Sequence, residues 1–268
     1  MHLKRWITGL IALPFLIYII YRGGILFAVL ISVAGLISLW EYFRIVYNPE
    51  TNFQSNPITL WGYVVGLAII WTTHAAGMQH NMWIIAIGLV FSALISIPQY
   101  KSDPGVIKII RKQLQGVVYI PLLLSFLIMI RNAPAGMVWI ACILAVIFAG
   151  DISAFYVGSY LGRHKLCPAV SPGKTIEGSI GGLCGNLVIG SLVKYLFLPD
   201  LSWTTSILFF IALGTAGQVG DLFESELKRF SNIKDSSGVL PGHGGFLDRI
   251  DALLFASPVA YIFIMHLF

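Results

Sequence analysis

The stretch that decides the fold is residues 136–162, which read GMVWIACILAVIFAGDISAFYVGSYLG. Asp151 is the only charged residue in it. A helix needs about 20 mostly apolar residues to cross the hydrocarbon core of a bilayer, so this stretch is long enough to span a membrane. A carboxylate inside such a span is costly and makes Asp151 a candidate functional residue.

The composition of the whole chain agrees with this stretch. Of its 268 residues, 57% are hydrophobic and 11% are charged, whereas an average soluble domain is about 25% charged. This excludes a water-soluble enzyme and a disordered chain. The sequence predicts an all-α, polytopic integral membrane helix bundle of about nine transmembrane helices. The predicted spans are 6–21, 25–43, 57–76, 81–98, 115–131, 136–162, 178–197, 203–229 and 249–267.

The basic residues predict how these spans are oriented. The chain has 17 Lys and Arg and a formal net charge of +5. With nine spans, all of them except Arg22, Arg131 and Lys194 fall on the side of the N-terminus. Because short cytoplasmic loops are enriched in Lys and Arg, we expect the N-terminus and the catalytic loops to be cytoplasmic. This basic excess does not indicate a nucleic-acid partner, and the compact chain suggests the bacterial inner (plasma) membrane.

The acidic residues divide the chain into two regions. Of the 12 acidic residues, only Glu41, Glu50 and Asp103 lie in residues 1–130. We therefore expect residues 1–130 to be an N-terminal transmembrane scaffold. Residues 131–268 are expected to form a C-terminal transmembrane catalytic region with cytoplasmic loops.

One candidate cluster lies at 217–230, GQVGDLFESELKRF. Asp221, Glu224 and Lys228 stand at helical spacing and share one helix face. A salt-bridged helix end is an equally good explanation for Glu224 and Lys228. Asp221 lies deeper in the apolar run, where acidic groups are usually paired, metal-bound or water-facing, so it is favoured as functional.

A second cluster is LPGHGGFLDRID, residues 240–251. Asp248 and Asp251 open the last predicted span, three residues apart. The helix dipole favours carboxylates at this position and gives a purely structural alternative. Together with Asp221 they offer hard oxygen ligands of the kind that suit Mg²⁺ with substrate phosphates. His243 is equally well explained as a turn cap or a phosphate contact.

A third cluster is the loop GRHKLCPAVSPGKTIEGSIGG, residues 162–182. Its cations and hydroxyls precede a Gly-rich helix start, where free backbone N–H groups favour phosphate. It is not a P-loop, because Pro168 stands where that motif needs glycine. A basic loop resting on anionic lipid is the alternative. The candidate phosphate-binding residues of the loop are Lys165, Ser171, Lys174 and Thr175.

The stretch SELKRFSNIKDSSGVLPGHGGFLDRID, residues 225–251, resembles the signature of the phosphatidate cytidylyltransferases, or CDP-diacylglycerol synthases. The resemblance covers roughly residues 147–255. Two positions depart from it: Phe155 stands where a tyrosine is expected, and Gly173 stands where a lysine is expected. The resemblance implies an enzyme that transfers a cytidylyl group from CTP to phosphatidic acid at the cytoplasmic membrane face. Its partners would be CTP, phosphatidic acid and the lipid bilayer, with a homodimer left open.

We hypothesise roles for the candidate residues on this basis. Because both substrates are polyanions, positioning and charge neutralisation should dominate catalysis. Mg²⁺, with two ions as the working expectation, is assigned to Asp221 and Asp248, with Asp251 assisting. Lys228 is assigned to the reacting phosphate as a catalytic residue with these three aspartates. The residues assigned to CTP or phosphate are Lys165, Ser171, Lys174, Thr175, Arg229 and His243, with Asp235 in a lesser role.

Three other functions compete with this one. An ion- or proton-coupled transporter could use Asp151 and Asp221 as a relay, but the charges gather on one predicted side of the membrane. A CDP-alcohol phosphotransferase would need Asp-Gly-x-x-Ala-Arg, whereas Asp248 is followed by Arg249. A non-catalytic membrane scaffold leaves the clustered acids unexplained.

Overall fold

The computed structural model describes residues 14–47, 55–233, 236–238 and 244–268. Residues 14–22 are helical. The long helices that follow are α1 (Gly24–Val46), α2 (Pro57–Ala76), α3 (Asn81–Tyr100), α4 (Val106–Asn132), α5 (Gly136–Leu161), α6 (Ile176–Phe197), α7 (Trp203–Phe230) and α8 (Leu247–His266). Two short strands, β1 (Lys165–Cys167) and β2 (Ser171–Thr175), lie between α5 and α6.

Helices α1 to α7 are long and apolar enough to cross a membrane. This confirms the all-α, polytopic membrane fold, since the described sheet is only a two-stranded hairpin. The first predicted span, 6–21, lies largely outside the described residues. The last predicted span is helical as α8, although α8 is not among these seven helices. The count of nine spans therefore stays a prediction.

The chain divides into two units, which are described separately. The first contains Met1–Asn132 and Ser231–Arg249, and the second contains Ala133–Phe230 and Ile250–Phe268. The segment that carries much of the family-like signature, 231–249, thus belongs with the N-terminal helices. The assignment of residues 1–130 as scaffold and 131–268 as catalytic region stays a prediction.

In the first unit, aromatic side chains near the end of α1 form part of the core. Tyr42 and Phe43 are fully buried. The ring centroid of Phe43 lies 5.5 Å from that of Tyr63 in α2, and the ring centroid of Tyr42 lies 6.2 Å from that of Tyr119 in α4. Such edge-on ring pairs stabilise the fold by more than the burial of their apolar area alone. They fix the last turns of α1, where Glu41 lies.

In the second unit, α5 and α6 pack closely through small residues. A side chain added at Gly158 would lie 3.5 Å from the Cα atom of Gly178, and one at Gly182 would lie 3.2 Å from Ala154. Small residues allow membrane helices to approach this closely. The small residues of α5 and α6 therefore allow this close packing.

The loop between α5 and α6 folds as an antiparallel hairpin, which the sequence analysis did not predict. Lys165 pairs with Thr175, and Cys167 pairs with Ser171. Thr175 also begins α6, where its hydroxyl accepts a hydrogen bond of 3.1 Å from the backbone N–H of Gly178. This N-cap supplies one of the acceptors that the start of a helix needs. The hairpin therefore ends where α6 begins.

Candidate active site

A cavity of about 460 Å³ opens in the second unit between α5, the hairpin and α7. Its lining mixes carboxylates, one lysine, hydroxyls and apolar side chains. The polar side chains that line it are Asp151, Ser159, Ser171, Lys174, Thr175, Ser179, Gln218 and Asp221. A concave site with a few convergent polar groups is the usual form of a small-molecule site.

An ion pair in the lining of the cavity joins the hairpin to α7. The Nζ atom of Lys174 lies 2.6 Å from Oδ2 of Asp221, and the two side chains are 26% and 38% exposed. Asp151 interacts electrostatically with both. Because the pair is partly open to solvent, an anionic ligand can reach the lysine.

The hairpin is held in place from both ends. Glu177 in α6 accepts hydrogen bonds from the backbone N–H of Arg163, at 3.1 Å, and from the backbone and ring of His164. At the turn, the Nε of Arg229 donates to the carbonyl of Val170 at 3.0 Å. Arg229 thus connects the end of α7 to the hairpin that carries Lys174.

Two cavity residues that the sequence analysis did not single out connect α6 to α7. The Nε2 of Gln218 donates to the carbonyl oxygen of Ser179 at 2.9 Å, and the Ser179 hydroxyl donates to Oε1 of Gln218. Gln218 lies three residues before Asp221, so helical spacing could have placed it on the same face. This pairing fixes the side of α7 that carries Asp221.

The C-terminal part of α7 contains a buried ion pair. Glu224 is fully buried, and its Oε2 lies 2.5 Å from Nζ of Lys228. The ion pair that the structural alternative expects is therefore present. Lys228 also interacts electrostatically with Asp251. Its role toward a phosphate stays a prediction.

Asp251 belongs to the same unit and lies in the first two turns of α8. It is 8% exposed and interacts electrostatically with Asp221 and Asp151. The two helices meet closely here, because a side chain added at Gly220 would lie 2.5 Å from the carbonyl oxygen of Asp251. Helices α7 and α8 thus bring Asp221 and Asp251 into one charged group with Asp151.

Asp248 has a local structural role in the first unit. Its Oδ2 accepts hydrogen bonds from the backbone N–H of Gly245 at 2.8 Å, from the hydroxyl of Ser236 at 3.0 Å and from the backbone N–H of Ser236 at 3.3 Å. A carboxylate that reaches back to the N–H three residues earlier stabilises a helix start. The structural alternative for Asp248 is therefore present, and its role toward a metal stays a prediction.

Of the remaining predicted site residues, some line the cavity and others do not. Ser171, Lys174 and Thr175 line the cavity together, as the phosphate-binding prediction requires. Lys165 is exposed on β1 and lies outside the cavity lining. His243 lies outside the described residues, as does Asp235.

The donor chemistry of the second unit fits a divalent cation. Within the described ranges, no three His, Cys, Asp or Glu side chains converge as a formed metal site. Asp151 and Asp221 nevertheless both line the cavity, and Asp251 interacts with both. Carboxylate oxygens beside a phosphate-binding surface are what Mg²⁺ uses in phosphoryl-transfer sites.

A model of the cytidylyltransferase family matches residues 3–267. The chain belongs to this family. It is 30% identical to a phosphatidate cytidylyltransferase of Bacillus subtilis, over 99% of this chain and 98% of that protein. It is 32% identical to one of Staphylococcus aureus, over 98% of each, and 31% identical to one of Brucella abortus, over 97% and 92%.

These matches confirm the resemblance seen in the sequence and extend it to almost the whole chain. A member of this family is a nucleotidyltransferase, and the apolar helices make it an integral membrane enzyme. The transporter alternative receives no support from the relatives.

Proposed function

We propose that this protein transfers a cytidylyl group from CTP to phosphatidic acid, giving CDP-diacylglycerol and pyrophosphate for phospholipid biosynthesis. A phosphate oxygen of the lipid forms a bond to the α-phosphorus of CTP. The bond from that phosphorus to the bridging oxygen of the β-phosphate breaks, and pyrophosphate leaves with the electron pair. The lipid phosphate is already anionic, so the enzyme needs chiefly to position and neutralise two polyanions.

The observation that carries this proposal is the cavity whose lining holds the ion pair of Lys174 and Asp221. A lysine, the hydroxyls of Ser171 and Thr175, and the start of α6 converge on one space. Helix starts and cations together favour phosphate oxygens. These groups are proposed to bind the phosphates of CTP, with Lys174 exchanging its bond to Asp221 for one to the nucleotide.

Further phosphate contacts are proposed from the sequence. Lys228 and Arg229 would neutralise charge near the end of α7, although Lys228 also pairs with Glu224 and Arg229 also holds the hairpin. Lys165 and His243 stay predicted contacts to CTP.

The proposed metal is Mg²⁺, with two ions expected. Asp221 and Asp251 would hold it, because they belong to one charged group in the second unit. Asp248, which the sequence analysis paired with Asp221 as a metal ligand, stays a predicted ligand and precedes Asp251 by one helical turn. When bound, the metal would neutralise negative charge on the phosphates.

The finer setting of the enzyme is also a proposal. We place it in the bacterial inner membrane with the N-terminus and catalytic loops in the cytoplasm, where CTP is found and where short loops are enriched in Lys and Arg. A homodimer is a prediction that native mass spectrometry from detergent would test.

The decisive assay is pyrophosphate release by the detergent-purified protein. Release should require CTP, phosphatidic acid and Mg²⁺ together and should stop on addition of EDTA. Asp248→Ala tests Asp248 as a metal ligand in the same assay. Near-normal turnover of that variant would show that Asp248 does not bind the metal. No release from well-folded wild-type protein, over several lipids and nucleotides, would reject the proposed reaction.

A further inference from the structure

Glu41 is a buried carboxylate in the N-terminal half that the proposed reaction does not use. It lies near the end of α1 and is fully buried. A carboxylate buried in a membrane-spanning helix is costly unless other groups satisfy its oxygens. Its partners therefore indicate its role.

All four described partners of Glu41 come from the segment 236–247. The backbone N–H of Leu247 donates to Oε2 at 2.6 Å, and that of Phe246 donates to Oε1 at 2.9 Å. The hydroxyl of Ser236 lies 3.2 Å from Oε2, and the hydroxyl of Ser237 donates to Oε1. One side chain of α1 thus holds Ser236 and Ser237 together with Phe246 and Leu247.

Two of these partners are the N–H groups of Leu247, the first residue of α8, and of Phe246 just before it. The opening N–H groups of a helix have no acceptor within the helix. Glu41 supplies that acceptor from a different helix, and its negative charge is favoured at this end of the helix dipole. It acts as a cap that lies about 200 residues away in the chain.

Glu41 is also connected to Asp248 through a shared hydroxyl. Oγ of Ser236 lies 3.2 Å from Glu41 and 3.0 Å from Oδ2 of Asp248. Glu41, Ser236, Ser237 and Asp248 form what we call the Glu41 cluster. It has no spare room, because a side chain added at Gly245 would lie 1.7 Å from the Ser236 hydroxyl and 2.9 Å from Glu41. The position of Asp248 is therefore coupled to that of Glu41.

We propose that Glu41 is a positioning residue, which holds Ser236, Ser237 and the start of α8 in the arrangement that the reaction requires. This inference rests on the proposed cytidylyl transfer. It gives the N-terminal helices a direct part in shaping the catalytic segment, beyond that of a scaffold.

The test compares Glu41→Gln with Asp103→Asn, which removes a charge from an exposed carboxylate of the same unit that accepts from the N–H of Gly105. A glutamine keeps the size of Glu41 but offers one acceptor oxygen in place of two. Hydrogen–deuterium exchange in detergent should become about tenfold faster at the amides of Phe246 and Leu247, as expected when a buried charged acceptor is lost. Peptides of α6 should exchange as in the wild type, which excludes general unfolding, and Asp103→Asn should change neither region.

The activity arm uses pyrophosphate release by the same proteins. Glu41→Gln should lower kcat by about tenfold or more while KM for CTP changes by less than about threefold, because a cap is lost and no contact to the nucleotide is removed. Unchanged exchange at residues 246 and 247 would overturn the proposal, as would faster exchange with wild-type kcat. An inactive wild type would reject the proposed reaction instead, and the exchange arm would still decide whether Glu41 holds the segment.

Discussion

Glu41 and Asp248 in the first unit and Asp221 in the second show two opposite uses of a carboxylate. In the first, Glu41 and Oδ2 of Asp248 accept hydrogen bonds from backbone N–H groups and serine hydroxyls, and Glu41 is fully buried. In the second, Asp221 is 38% exposed, pairs with Lys174 and lines a cavity of about 460 Å³. A carboxylate surrounded by fixed donors organises the backbone, whereas one that is open to a cavity can release the lysine that it pairs with to an anionic substrate.

Replacing Asp221 should have the largest effect on activity. Asp221→Asn keeps the shape of the side chain but removes the charge that faces Lys174, so we expect pyrophosphate release to fall by about 10³-fold. Glu226→Gln is the matched control, because Glu226 lies exposed on the same helix. Equal effects of the two substitutions would show that Asp221 has no special role in the cavity.

The two hairpin lysines should differ in their effects. Lys174→Met removes the cation that lines the cavity, and kcat/KM for CTP should fall by about 100-fold. Lys165→Met removes an exposed cation outside the lining, and its effect should stay within about threefold. Initial rates over a range of CTP concentrations measure both, and a larger loss from Lys165→Met would place the nucleotide elsewhere.

A pair of glycines compares the crowding of the two regions. Gly245→Ala places a methyl group against Ser236 in the Glu41 cluster and should cost about 1–3 kcal/mol of stability, with about tenfold lower activity. Gly173→Ala meets no atom within 4 Å at the cavity and should change stability by less than about 0.5 kcal/mol. Thermal unfolding in detergent measures this difference. If the two midpoints shift equally, the Glu41 cluster is less tightly packed than its geometry indicates.

The smallest predicted effect is a gain. Gly173 lines the cavity, has open space around it and stands where the family resemblance leads one to expect lysine. Gly173→Lys should lower KM for CTP by about two- to fivefold, because a second cation joins Lys174 near the phosphates. A raised KM would mean that repulsion between the two lysines outweighs the added phosphate contact.

The sequence predicted the helices well, because apolar length alone defines a membrane span. The sequence analysis also predicted that Ser171, Lys174 and Thr175 act together, and all three line the cavity. The hairpin that carries them was not predicted, since Pro and Gly within SPGKT give no strand pattern.

The role of Glu41 could not be read from the sequence either. About 200 residues separate it from the amides of Phe246 and Leu247 that it accepts, so no local spacing reveals the contact. The signals at Asp221 and Asp248 were similar, and only their surroundings distinguish them. Asp221 lines a cavity, whereas Oδ2 of Asp248 receives donors from Ser236 and Gly245.

The central claim is that the α-phosphorus of CTP ends on the lipid, and its most direct test follows a radioactive label. The purified protein is incubated with phosphatidic acid, Mg²⁺ and CTP that carries ³²P at either the α- or the γ-phosphate, and the products are separated into organic and aqueous phases. The account predicts α-label in the organic phase, γ-label in the aqueous phase as pyrophosphate, and loss of both products in Asp221→Asn. Transfer of γ-label to the lipid would identify a kinase, and release of both labels into water would identify a nucleotide hydrolase, so either result would contradict the account.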